Sequence, residues 1–378
     1  MSQAYTPGLK RKELYLVTKT RRLPIPGEVL VKKGDRVSID TIVARAKIPG
    51  DPNIVNVAGI LGVDPNEIEK YMVKKIGDNV KKGEPIARYR AFFGLIKSDC
   101  LSPVDGTIES ISGITGRVII REPPVPIELD AYIPGKVIDI IPNEGVVIQT
   151  PAAFIQGAFG VGGETHGEIM MMSKKTEDIL TAEQITSECK DKILVTGSLV
   201  TAEALKKAVE MGVKGVVVGG IMDKDLSEFL GYTIGVAITG HEKIGLTIVA
   251  TEGFGAMRML EKTFKILQKH EGEIACINGA TQIRAGVIRP EVIIPITSSD
   301  KITTSLETDR DLFTGGLKPG TLVRIIQEPY FGQIGKVYSL PPELQFIETE
   351  SKVRVVEVEL EDGRRVIVPR ANVEIIEE

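Results

Sequence analysis

Ser102-Pro103-Val104-Asp105-Gly106-Thr107-Ile108-Glu109-Ser110-Ile111 reads as a strand closed by a Gly turn, and Ile133-Pro134-Gly135-Lys136-Val137 repeats the pattern downstream. Related segments stand earlier in the chain. Val31-Lys32-Lys33-Gly34-Asp35-Arg36-Val37 and Lys75-Ile76-Gly77-Asp78-Asn79-Val80 both place Gly-Asp-x-Val after alternating residues, and Ile25 to Val29 shares Ile-Pro-Gly-(Glu/Lys)-Val with Ile133 to Val137. Gly supplies a positive φ and Asp bonds its own backbone, so the pattern is a turn with a mechanism. Its recurrence predicts one β-unit used more than once.

The Ser102 turn resembles the (Ala/Ser)-Pro-Val-Asp-Gly-Thr turn of biotinyl and lipoyl carrier domains. The region from Leu23 to Thr150 is similar to their barrel-sandwich hybrid fold, interrupted by a short helical insertion near 64–75 opened by Asp64-Pro65-Asn66-Glu67. The resemblance implies a modified Lys seven residues before the turn. Leu95 stands there, and Lys97, two residues on, lacks the flanking methionines of the carrier pattern. The expectation for 1–150 is therefore an unmodified structural barrel with no cofactor.

Bulk composition is that of a globular chain: 378 residues, 42% hydrophobic and 26% charged. Trp is absent and aromatics are 5%, so the cores must be built from Ile, Val, Leu and Ala. A net charge of −4 supplies no global attraction to nucleic acid or to an anionic membrane. No apolar run is long enough to cross a bilayer as a helix, and no leader pattern opens the sequence, so a cytoplasmic protein is expected. Lys, Glu and Ile enrichment points to a thermophile. Cys100, Cys189 and Cys276 are widely spaced and read as buried thiols. Residues 10–47 carry eleven basic side chains against Glu13, Glu28, Asp35 and Asp40, a local surplus that is either a docking face or a solvated surface.

From about Pro151 strands alternate with helices. Ile193 to Gly197, Gly215 to Gly219, Gly235 to Thr239, Leu246 to Thr251 and Glu273 to Ile277 read as strands; Thr201 to Met211, Asp223 to Leu230 and Met257 to His270 read as helical. This predicts an α/β domain over 151–298 with a mainly parallel sheet. A polar linker, 299–316, follows. Residues 317–378 contain Gly320 to Ile326 and Pro329-Tyr330-Phe331-Gly332-Gln333-Ile334-Gly335-Lys336-Val337, which resemble the KOW motif of the elongation factor NusG and of some ribosomal proteins and imply a small β-barrel. The fold class expected overall is multidomain α/β with β-rich ends.

No reaction motif is complete. Gly160, Gly162 and Gly163 lie in a Gly-rich run that suits either a close crossover or an anion loop, but Thr165 breaks the dinucleotide spacing. Gly240-His241-Glu242-Lys243-Ile244-Gly245-Leu246 fails as a phosphate loop at Leu246 and as a zinc helix at Gly245, and only His166, His241 and His270 are available for a metal, so none is expected. Ligands of open α/β sheets bind beyond the carboxyl ends of the strands. That rule nominates Ser198, Asp223, His241 and Glu252, with His241 and Glu252 as the candidate acid–base pair. Arg284 and Arg289 are candidate anion grips at the seam.

The KOW resemblance implies RNA or protein binding, through Tyr330, Phe331, Arg364, Arg365 and Arg370. Eight positive against eleven negative side chains in 317–378 disfavour RNA. The expected function is a non-enzymatic scaffold or adaptor that docks a protein partner such as the transcription or translation machinery. A ligand-binding protein or enzyme using the strand-end cleft is second, and an RNA-binding protein third.

Overall fold

The computed structural model describes residues 6–91, 96–232, 244–281, 288–296, 317–327, 329–330, 333–346, 352–360 and 362–376. Of the expected features, His241, Arg284, Phe331, the Gly235 to Thr239 strand and the 299–316 linker lie outside these residues. The chain is β-rich, and a mixed sheet with a parallel block forms its centre.

The Gly-Asp turns are built twice in the same way. In the first, Asp35 Oδ2 accepts from Lys32 N at 2.8 Å, and Gly34 N donates to the carbonyl of Val137. In the second, Asp78 Oδ2 accepts from Lys75 N at 2.7 Å, and Gly77 N donates to the carbonyl of Ile108. Gly34 and Gly77 sit at φ 101° and 92°, a region costly for a residue with a Cβ. The pairing around them matches residue for residue. Gly135 faces Val37 as Gly106 faces Val80, and both following strands carry a bulge, between Val137 and Asp139 and between Ile108 and Ser110.

The neighbouring hairpins agree as well. Ala44 pairs with Leu129 and Arg45 with Glu128, as Ala87 pairs with Cys100 and Arg88 with Asp99. Positions in the first half of the unit correspond 43 residues apart, Gly34 to Gly77 and Ala44 to Ala87. The expected repeated unit is thus two copies, and the second is nested in the first. Strand Ile42–Ile48 leads out to residues 52–121, and strand Val125–Asp130 returns to pair with it. The inner copy instead closes its own hairpin between Pro85–Ala91 and Ile96–Leu101. Its core, Val55, Val57, Leu61, Val80, Ile86, Ala87, Cys100, Ile108, Val118 and Ile120, uses no residue outside the insert. The expected helical insertion is present and begins earlier, with helix Val57–Leu61 capped by Asn56, before Asp64 caps the turn Pro65–Glu67.

Strand Gly145–Gln156 joins this region to the rest and runs through the boundary expected at 150. One edge pairs with Arg11–Arg22 along its length. The other pairs first with Gly135–Ile141 and then with Glu291–Pro295. Alternation divides its side chains between two cores: Ala152 and Phe154 face the outer β module, Ala153 and Ile155 the helix Glu261–Lys269.

The parallel block comprises four strands, Glu164–Met171, Lys192–Val195, Gly215–Ile221 and Thr247–Phe254. The remaining pairings of this eleven-stranded sheet are antiparallel, because the β module and the strands Ile274–Asn278 and Glu291–Pro295 extend it on one side and Phe159–Val161 caps it on the other. The sheet is therefore mixed where the strand-helix alternation predicted a mainly parallel one. Helices Ala202–Glu210 and Asp223–Leu230 cover the face that carries Leu194, Val216, Val218 and Ile248; helix Glu261–Lys269 covers Ile193, Val195, Val217 and Val249. That last helix starts at Glu261, after Met257, whose segment lies against the strand ends without helical structure.

The C-terminal strands Leu322–Ile325, Ile334–Ser339, Lys352–Leu360, Arg365–Pro369 and Val373–Ile376 enclose an aliphatic core of Val323, Val337, Val356, Val358 and Val366. The expected Asp362-Gly363 hairpin is present. The sequence did not show its final strand: Thr6–Leu9, from the other end of the chain, pairs parallel with Val373–Ile376.

Because no heavy atom lies within 4 Å of a Cβ built on Gly34 or Gly77, alanine there meets only the dihedral penalty. Gly34→Ala and Gly77→Ala should each cost about 1–2 kcal/mol in urea unfolding. A neutral Gly77→Ala would contradict the turn assignment.

Candidate functional site

A cleft opens beyond the strand ends. Beyond the carboxyl ends of Lys192–Val195 and Thr247–Phe254, Ser198 and the segment Gly255 to Arg258 form one wall, and Gln333, Ile334, Leu360 and Asp362 of the C-terminal sheet form the other. The space is about 650 Å³. Gly219 and Gly220 let the 255–259 segment lie against the strand ends: a Cβ on Gly220 would stand 2.3 Å from the carbonyl oxygen of Gly255. Met259 N donates to Gly197 O at 2.6 Å and Gly255 N to Ile221 O at 2.9 Å, so this wall is packed in place.

Glu252 lines the cleft, but its carboxylate is bound inside the protein. Arg11 Nη2 donates to Glu252 Oε2 at 3.0 Å and Arg324 Nη1 to the same oxygen at 2.6 Å. Leu260 N donates to Oε1 at 3.3 Å. Arg324 Nη2 continues to Glu374 Oε2 at 2.5 Å, and Arg289 Nη2 stands 3.8 Å from Glu374 Oε1. Arg11, Glu252, Arg324 and Glu374 are each no more than 4% exposed. Burial pulls the Arg11 guanidinium below its ordinary pKa while Glu252 pushes back. Arg11 Nε has no hydrogen-bond partner among the described residues. The two positive and two negative groups cancel, as a buried cluster requires. Glu252 is thus a structural counter-ion, and Arg289 joins the network rather than gripping an open anion.

Of the other candidates among the described residues, only Ser198 shares the cleft with Glu252. Ser198 is buried and its hydroxyl donates to Met257 O at 3.4 Å. Asp223 is exposed on the first turn of its helix. Gly160 is closely packed, with a Cβ there 2.7 Å from the carbonyl oxygens of Gly279 and Ile248, and its N–H donates to Thr281 Oγ1 at 2.8 Å. Gly162 takes φ 88° against Leu246 O, and Gly163 O accepts from Thr247 Oγ1. That run is occupied by strand contacts. His166 lies 3.8 Å from Asp40, and His270 is buried with Nδ1 2.8 Å from Glu273; no group of three metal-ligating side chains occurs among the described residues.

On the C-terminal sheet Tyr330 packs against the core, and Arg370 donates to the carbonyls of Val355 and Pro341. Arg364 pairs with Asp362, and Arg365 lies 3.5 Å from Glu359 and 3.5 Å from the centre of the Tyr338 ring. Lys97 is exposed on the inner hairpin. The basic surplus of 10–47 is largely answered from elsewhere in the chain: Arg11 by Glu252, Lys19 by Glu291, Arg21 by Asp130 and Glu164, Arg22 by Glu144, Lys33 by Asp139.

The sequence reading missed a second buried cluster, where the outer β module meets the central sheet. Tyr132, at φ 62°, donates its hydroxyl to Glu291 Oε1 at 3.3 Å, Lys19 Nζ donates to Oε2, and Arg21 lies over the Tyr132 ring. Cys276 pairs across the sheet with His166. Burial, helped by Glu291 and Asp40, pushes the Cys276 thiol up to about 12, and burial raises Tyr132 well above its ordinary value. A nucleophilic thiol needs the opposite shift. For the first cluster, the signal available beforehand was charge inside apolar runs: Arg324 within Leu322 to Ile326, Glu374 within Val373 to Ile376.

No family model matches the chain, and no curated protein matches it in sequence.

Glu252→Ala would leave Arg11 and Arg324 buried without a counter-charge and should cost about 3–5 kcal/mol in denaturant unfolding; a loss below 1 kcal/mol would remove the network from its structural role. For Cys276 the folded pKa lies above the unfolded one, so the unfolded chain releases the proton first. Its contribution to stability is intact below pH 9 and declines as pH rises toward 12. In Cys276→Ala that part of the decline should disappear, and native protein at pH 8 should not react with a thiol reagent at Cys276.

Proposed function

We propose that the chain is a non-enzymatic adaptor: a rigid body made of the central sheet and the C-terminal barrel, carrying a nested β module that docks a protein partner. The observation behind this reading is the build of the inner module. It has its own core, it leaves and re-enters the chain at adjacent points, where Glu122 N donates to Asp51 O at 3.0 Å, and it exposes large aliphatic side chains. Ile54 and Ile76 are 62% exposed and Ile114 is 89% exposed, with Ile60, Val73 and Leu101 also at the surface. A unit with a core of its own that also exposes these side chains suits an interaction surface.

In this reading the paired modules are barrel-sandwich hybrids of the biotinyl/lipoyl type without an attached group, and the C-terminal barrel is of the KOW type, which favours a partner in transcription or translation. RNA is the weaker partner, because the candidate cations Arg364, Arg365 and Arg370 already have protein partners.

Replacing residues 51–121 by an Asn-Gly turn should leave cooperative unfolding of the remainder intact, since no other core draws on the insert. In affinity capture at moderate salt, the full chain should retain a stable partner that this deletion and the Ile54→Glu/Ile114→Glu variant both lose. Retention by the deletion, or no partner at all, would refute the adaptor reading.

A further inference from the structure

We infer that the cleft between the strand ends and the C-terminal barrel binds an organic phosphate, with its phosphoryl group toward Lys174 and Lys175 and its polar body beneath Gln333 and Asp362. The cleft continues past Glu177, Arg258 and Ile334 into a second chamber of about 530 Å³, bounded by Lys174, Lys175, Lys265 and Gln268. Each chamber has the volume of a small-molecule site.

The charges differ between the two ends. In the first chamber Glu252 and Arg324 neutralise each other, and Asp362 is bonded to Arg364. In the second, Lys265 lies 3.1 Å from Glu261 and Arg258 3.6 Å from Glu177. The ammonium groups of Lys174 and Lys175 have no carboxylate partner among the described residues. Even counting the Asp178 carboxylate that holds their backbone, a surplus of positive charge remains at this end among the described residues, the sign that the charge of about −1.5 to −2 on a phosphate monoester near pH 7 requires.

Position and rigidity support the assignment. The first chamber lies at the carboxyl ends of parallel strands, where crevices of α/β sheets hold ligands. Asp178 Oδ2 accepts from Lys174 N and Lys175 N at 3.0 Å each, which fixes the backbone that carries both lysines. Glu252 and Arg324 bond the two walls to each other, so the opening is set before any ligand arrives. The site shares no residue with the inner β module and stands independently of the adaptor reading.

The test uses the full chain with inorganic phosphate, ribose 5-phosphate and AMP as probes and with ribose and adenosine as uncharged controls, read by calorimetry and thermal shift. The phosphorylated probes should bind and raise the melting temperature, and the controls should not. Lys174→Glu/Lys175→Glu reverses two exposed charges and should weaken binding at least about tenfold while leaving the ligand-free melting temperature unchanged. Ala256→Trp, which fills the first chamber, should weaken AMP and ribose 5-phosphate but spare inorganic phosphate. Failure of every phosphorylated probe to bind, or equal binding by Lys174→Glu/Lys175→Glu, would overturn the assignment.

Discussion

The buried cluster of Arg11, Glu252, Arg324 and Glu374 governs how the parts of this protein are held together. Its four members come from strand Arg11–Arg22, strand Thr247–Phe254 and two strands of the C-terminal sheet, and they meet where water is excluded. An apolar contact between these parts would tolerate sliding. A carboxylate shared by two guanidinium groups does not, because a shift that breaks one bond leaves a charge unsolvated. The parallel pairing of Thr6–Leu9 with Val373–Ile376 acts at the same junction. The two ends of the chain thus close the structure together, and the cleft beside them has fixed walls.

In the paired β modules the constraint is different. One β-unit occurs twice, and the second copy is placed in the hairpin of the first. The arrangement works because a hairpin needs only that its two strands meet; whatever joins them can be long if its own ends are close. The inner copy meets this condition through contacts such as Arg121 Nη1 to Gly50 O at 2.9 Å. A unit attached in this way can vary or dock without disturbing the charge cluster, which lies in another part of the fold.

Much of the β architecture was legible. Gly-Asp turns, apolar alternation and the Asp362-Gly363 hairpin are local signals, and each appears where local chemistry places it. The helix Ala202–Glu210, capped by Thr201, is another such case. The site was less legible. Glu252 looked like an acid awaiting a substrate because its two arginines are 241 and 72 residues away in the chain. The basic surplus of residues 10–47 looked like a docking face because most of its counter-charges lie beyond 130.

By itself, then, the sequence determined the turns, the strand periods, the aliphatic cores and the reuse of one β-unit, because these depend on residues a few positions apart. Only the tertiary structure decided that the copies are nested, that the parallel block is embedded in an antiparallel sheet, and that Arg11, Glu252, Arg324 and Glu374 neutralise one another. The reason is electrostatic: a charge has no assigned role until burial and partner are known, and both are set by chain segments that meet only after folding.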